Sequence, residues 1–434
     1  MRPLRIALIS EHASPLSVLG GVDSGGQNVY VAQVAKHLVR LGHEVDVFTR
    51  RDSDSLPTVM EWGGFRVIHV PAGPAKFVRK EDLLPYMDDF TSFFLQFSRW
   101  QKQPYDLIHA NFWMSGLVAA EVKQVLGIPF VVTFHALGRV RRIYQGEADQ
   151  FSDRRFEVED RVVAEADHII AECPNDRDDL INFYNASPSK MRVIPCGFDP
   201  DEFWPMDQAT ARASIGVESN SFIFLQLGRI VPRKGIDTVL QGFSYLLKST
   251  HVGAKLLIVG GETADPELDR SVEMERLRAI AKSEGILDHV KFVGHRGRDD
   301  LRAYYSAADA FITVPWYEPF GITPVESMAC GTPVIGSNVG GIKYSVVDGE
   351  TGFLVPPRDP VALGKKLIQA CQHPAHLKVM GRQALGRAHE LFTWQKVTRN
   401  LANLFESVVL EKQPLSVKSG IRKGSDTMPR VQLG

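Results

Sequence analysis

The run Glu318-Pro319-Phe320-Gly321-Ile322-Thr323-Pro324-Val325-Glu326 places two carboxylates around a glycine and two prolines, between a β-type stretch and a helical one. A strand-to-helix turn of this kind leaves the amides of Gly321, Ile322 and Thr323 unpaired at a helix N-terminus. There they and the helix dipole suit a phosphate. Glu318 and Glu326 would then face hydroxyls. A second turn, Gly228-Arg229-Ile230-Val231-Pro232-Arg233-Lys234-Gly235, brings fixed positive charge to the same kind of junction. An arginine forks onto phosphate oxygens and a lysine adds a mobile point charge, so Arg229 and Lys234 suit a diphosphate that departs as an anion. The glycines of residues 20–28, Gly25 and Gly26 among them, follow the first β-type run and let a ligand approach the backbone closely. His135, in Thr133-Phe134-His135-Ala136, follows another such run; a lone histidine there is more often structural than reactive.

Other chemistries fit these residues less well. The glycine run is not G-x-G-x-x-G, and Arg50 and Arg51 stand at the end of the second strand, where a dinucleotide enzyme wants an acidic residue. Asp52-Ser53-Asp54 has the spacing of a metal-dependent sugar transferase, but it follows Arg51 in a polar loop. Glu318 and Glu326 could serve a glycoside hydrolase, although neighbouring phosphate-binding groups have no use in that reaction. A non-catalytic sugar-nucleotide sensor would need the same binding residues. The four cysteines lie far apart with no Cys-x-x-Cys pair, which suggests neither disulfides nor zinc. No cofactor and no metal are expected.

These turns need strands and helices to hold them. Short apolar runs alternate with helical patterns from residue 5 onward, including 5–10, 44–49, 106–110, 130–134, 168–171 and 192–195, each short enough for a buried parallel strand. A break rich in Pro, Asp and Ser over 198–220 precedes a second series at 222–227, 255–260, 290–293, 310–314 and 333–337. With 434 residues, 44% of them hydrophobic, the chain can bury two cores. The expected class is α/β, two Rossmann-like doubly wound domains with a cleft between them. Residues 1–205 would form the acceptor domain and 206–385 the donor domain. A helical pattern from about residue 390 would supply the closing helices of 386–412, packing back toward the N-terminal domain. Residues 413–434, rich in Ser, Gly, Lys and Arg, read as a disordered tail. A net charge of -1 gives no reason to expect nucleic acid, and no apolar stretch is long enough to cross a bilayer. A cytoplasmic protein is expected.

Up to about Leu410 the chain resembles the family-4 retaining glycosyltransferases of the GT-B fold. Glu318 and Glu326 match the family's Glu-x7-Glu motif, Arg229 and Lys234 its diphosphate-binding pair, and Gly25-Gly26 its glycine loop. The resemblance implies a nucleotide-sugar donor, UDP being the first choice, and a small-molecule or glycan acceptor. It assigns Glu326 to the ribose, Glu318 to hydroxyls of the donor sugar, Arg296 to the base, Phe320 with the helix amides to the donor, and His135 to a place beside the reacting sugar. Residues 20–30, 73–80 and 135–139 are most similar to members that use phosphorylated acceptors, the sucrose-phosphate synthases and the inositol-phosphate transferase. Lys80, Arg139 and Arg154 are therefore candidate phosphate ligands. Phe112 and Ala136 depart from the inositol enzyme's pattern of tyrosine and threonine.

Overall fold

Continuous apolar runs bounded by turns make strands buried on both faces. In the computed structural model, which describes residues 2–17, 25–217 and 221–412, they become two sheets. The first holds β1 (Arg5–Ile9), β2 (Glu44–Arg50), β3 (Val59–Trp62), β4 (Phe65–Val70), β5 (Leu107–Asn111), β6 (Phe130–Thr133), β7 (His168–Ala171) and β8 (Met191–Val193). Its order is β3-β4-β2-β1-β5-β6-β7-β8, parallel except where β3 pairs with β4. The second holds β9 (Phe222–Leu227), β10 (Ala254–Val259), β11 (Val290–Gly294), β12 (Ala310–Thr313), β13 (Val334–Ser337) and β14 (Gly352–Val355), in the order β11-β10-β9-β12-β13-β14. Both are doubly wound and Rossmann-like, as the alternation predicts. β3, β4 and β14 are additions to the runs read from sequence; β3 is exposed along its whole length at the sheet edge, so it lacks a buried strand's apolar signature.

Strand order reverses once in each sheet, between β1 and β5 and between β9 and β12. The crevice outside the carboxyl ends at such a reversal is where open α/β sheets take ligands. Gly25 and Gly26 lie in the connection after β1, Phe112 directly after β5, Gly228 to Lys234 after β9, and Trp316 to Gly321 after β12. Residues of all four segments line one cleft between the sheets, Arg229, Val231, Pro232 and Arg233 from the third, with Lys234 just outside the lining. Of the glycine run, residues 20–24 fall outside the described residues, as does the tail 413–434.

An apolar cluster runs unbroken from Ile6 and Leu8 through Phe198 and Phe203 to Phe311 and Phe320, and on to Trp394 and Phe405. The helical pattern at the end of the chain is interrupted at 392–393, because backbone there pairs with Phe198: its amide donates to the Phe392 carbonyl at 2.8 Å, and Trp394 donates to the Phe198 carbonyl at 2.9 Å. The helix Trp394–Lys412 then packs on the helix Gly26–Arg40 of the first sheet, with Trp394 edge-on to Tyr30 at 5.7 Å. Trp394 is fully buried, and truncating such a side chain to alanine costs about 3–5 kcal/mol. The last helix therefore ties the end of the chain to the wall opposite the second sheet.

Candidate active site

The cleft encloses about 570 Å³. Its second-sheet wall begins at Gly321, whose φ of 92° is left-handed and caps the helix Ile322–Ala329. Glycine adopts that conformation without strain. Pro324 falls in the helix's first turn, where its missing N–H costs nothing. Phe320, Gly321 and Ile322 line the cleft, and Thr323 follows, half-buried. A second glycine turn holds this wall: Gly340, at φ 42°, lies so close to the Glu318 carbonyl that any Cβ there would collide with it, and Gly341 donates its amide to that carbonyl at 3.1 Å. The Asn338-Val339-Gly340-Gly341 turn thus fixes the backbone carrying Glu318.

Glu318 forms an ion pair with Lys234, and Arg233 stands 3.7 Å from the same carboxylate oxygen. Burial pushes the Glu318 carboxyl up, but Lys234, Arg233 and Arg229 outweigh it, and the net displacement is below the ordinary carboxylate range. Glu318 is therefore an anion at neutral pH. Burial, only partly offset by Glu318, holds Lys234 below the usual lysine value. Arg229 reaches across the cleft to the backbone of Gly25, close enough that a Cβ on that glycine would touch the guanidinium at 3.7 Å. Arg229, Lys234 and Glu318 are thus brought together as the motifs imply, with Arg233 as an unforeseen third cation.

Glu326 lies outside the cleft lining. Its side chain is 2% exposed, ion-paired with Arg298 at 2.9 Å and accepting the Tyr305 hydroxyl at 3.1 Å, behind the wall instead of on it. Its place four residues inside the helix turns it toward the helix Arg298–Ala307. Arg296 likewise does not line the cleft; its guanidinium donates to the carbonyls of Ala264 and His295 and to Tyr304.

On the first-sheet wall His135 sits just after β6 with a left-handed φ of 57°. Its Nδ1 is 3.0 Å from Glu172 and its Nε2 3.1 Å from Asn111. Lys80 lines the cleft, beside Arg79 and Arg141. Arg139 and Arg154 do not. Arg139 forks onto Asp160 at 2.6 and 2.7 Å and stacks on Tyr184, while Arg154 is exposed at the start of the helix Arg154–Glu165. Arg155 enters the cleft in its place. Successive helical residues point about 100° apart, so inward Arg155 requires outward Arg154. Arg155 donates to Glu159 at 2.7 Å and to the Ala136 carbonyl, and lies over the rings of Phe112 and Phe151. Its Nη1, wholly buried, has no partner among the described residues. The sequence offered one signal for Arg155, the i,i+4 spacing to Glu159 that braces it.

Two matched models divide the chain as the two sheets do: Glycosyltransferase Family 4 over residues 24–202 and Glycosyl transferases group 1 over 207–387. The D-inositol 3-phosphate glycosyltransferase of Acidothermus cellulolyticus is 36% identical over 95% of this chain and 92% of its own. The chain belongs to the family-4 glycosyltransferases. Another relative of that name, from Actinosynnema mirum, is also 36% identical, over 92% of this chain and 95% of its own. Among solved structures, the sucrose-phosphate synthase of Thermosynechococcus elongatus superimposes with a TM-score of 0.86 at 34% identity, over 94% of this chain and all of the other. Anabaena HepE, solved with UDP and glucose, shares the fold at a TM-score of 0.71 and 20% identity, over 93% of this chain and all of its own. This glycosyltransferase thus has the GT-B architecture. No helix among its described residues is long and apolar enough to cross a membrane.

Proposed function

We propose that this glycosyltransferase moves a hexosyl unit from a UDP-sugar to a hydroxyl of a phosphorylated small-molecule acceptor, with retention of configuration. The observation that carries the acceptor class is the group of cations on one cleft wall, Lys80 with Arg79, Arg141 and Arg155. The relatives named for inositol 3-phosphate and sucrose phosphate support it. Phe112 under the Arg155 guanidinium supplies a ring and no hydroxyl.

The diphosphate would lie against Arg229, Lys234 and the first-turn amides of the helix Ile322–Ala329, and the sugar hydroxyls against Glu318. As the bond from the anomeric carbon to the diphosphate oxygen breaks, charge gathers on the diphosphate, where preplaced cations stabilise it more than in the ground state. The acceptor hydroxyl attacks from the same face and gives its proton to the departing phosphate oxygen. Arg229 and Lys234 suffice for the charge, and no metal is invoked. A nucleotide-sugar donor fits a cytoplasmic location.

Nucleotide release from UDP-sugars, measured with fructose 6-phosphate, inositol phosphate and their unphosphorylated counterparts, tests the reading. Stimulation by a phosphorylated acceptor and not by its counterpart is expected. Stimulation by unphosphorylated sugars alone removes the phosphate pocket, and binding without turnover restores the sensor.

A further inference from the structure

Among the cations of the acceptor wall stands one carboxylate that the transfer chemistry leaves unexplained. Lys80, Glu81 and Asp82 form a short 3-10 turn after β4, and Lys80 and Glu81 both line the cleft. The Glu81 side chain is 12% exposed. Three cations surround it: Arg141 and Arg79 stand 3.9 Å from its oxygens, and Lys80 stands 4.0 Å away. Each of these separations is longer than a hydrogen bond. The other two carboxylates of the cleft lining differ. Glu318 is paired closely with Lys234, and Glu172 lies 3.0 Å from both His135 Nδ1 and the Cys196 thiol. Glu81 alone accepts no hydrogen bond among the described residues.

Nor do its neighbouring arginines take their orientation from Glu81. Arg141 Nε donates to Asp149 at 2.7 Å and its guanidinium lies over the Phe151 ring, while Arg79 donates to Gln150 at 2.7 Å and stands 3.4 Å from Asp82. A carboxylate in this place opposes the arrival of any anion at the cations around it. A ligand that carries hydrogen-bond donors as well as a phosphate offsets that repulsion. We propose that Glu81 is a specificity-determining residue of the acceptor site, accepting hydrogen bonds from hydroxyls of the molecule whose phosphate the cations hold. The proposal rests on the phosphorylated-acceptor reading above. Sugar phosphates and polyol phosphates are the ligand class that satisfies both parts: their phosphate oxygens take N–H donors from arginine and lysine, and their hydroxyls donate to a carboxylate, which only accepts. Bare phosphate supplies no such hydroxyls and meets Glu81 as a like charge. The wall therefore selects by an attraction and a repulsion together.

Calorimetry on the full-length protein with UDP present tests this, with fructose 6-phosphate, inositol phosphate and inorganic phosphate titrated separately. The wild type should hold one of the two organic phosphates more tightly than inorganic phosphate. In Glu81→Gln the affinity for that compound should fall about tenfold, the scale of one hydrogen bond to a charged group. Inorganic phosphate should instead bind up to about fivefold tighter, as expected when a partly exposed like charge is removed. Glu81→Asp should recover part of the loss, and an unchanged UDP affinity reports an intact fold. A residue that merely braced the wall would weaken both ligands on replacement. Parallel weakening therefore overturns the proposal, as does an organic phosphate bound equally well by wild type and Glu81→Gln, or a wild type that prefers neither organic phosphate to the inorganic ion. A wild type that binds none of the three removes the phosphorylated acceptor itself, and the role of Glu81 with it.

Discussion

The two walls of the cleft are built on different principles. The donor wall concentrates its chemistry in two continuous segments, Gly228 to Gly235 and Glu318 to Thr323, each a single strand-to-helix turn, with the backbone of Glu318 held in addition by Gly340 and Gly341. The acceptor wall gathers Lys80, Arg79, Arg141 and Arg155 from separate connections and helices, so its composition depends on how those elements pack. Local turns can be read from residue order. A composite wall depends on helix register, and an error of one residue exchanges Arg155 for Arg154.

That contrast breaks most visibly if the walls are not separable. Replacing Lys234 or Arg229 with alanine should lower kcat by about 10²–10³, the scale for removing one group that stabilises developing charge, while acceptor KM stays near its wild-type value. A change confined to acceptor KM would show that these cations do not serve the donor. Arg155→Lys keeps the charge beside Glu159 but loses the fork, and should raise the KM of a phosphorylated acceptor by about tenfold, as expected for one charged hydrogen bond; donor binding by calorimetry should not move. Lys80→Ala, removing a side chain that is 19% exposed, should raise the same constant by about three- to tenfold. The smallest effect belongs to Arg139→Ala. Its pair with Asp160 is partly open to solvent, at 29% and 48% exposure, so thermal unfolding should report a loss of less than about 1 kcal/mol and no change in acceptor KM. A shift in that KM would return Arg139 to the phosphate site.

How far the sequence speaks follows the same division. The buried parallel strands announced themselves as short apolar runs, and the placement of both phosphate-suited turns at the ends of β9 and β12 follows from the doubly wound order. Glu318, Lys234 and Arg229 meet as their spacing suggests. Glu326 does not reach the cleft because periodicity along a helix says nothing about which neighbour, here Arg298 and Tyr305, claims a buried carboxylate. Gly340 and Gly341 stayed unread because the contact requiring them, with the backbone of Glu318 and Phe320, is made by distant residues in sequence. Glu172 and Asn111 became legible only when β5, β6 and β7 lay side by side.

The most direct test compares KM for a phosphorylated acceptor and its dephosphorylated counterpart in wild type, Arg155→Lys and Arg154→Ala. The expected result is a preference for the phosphorylated acceptor that Arg154→Ala keeps and Arg155→Lys largely erases. A preference that survives Arg155→Lys and disappears in Arg154→Ala would contradict the structure of the acceptor wall described above.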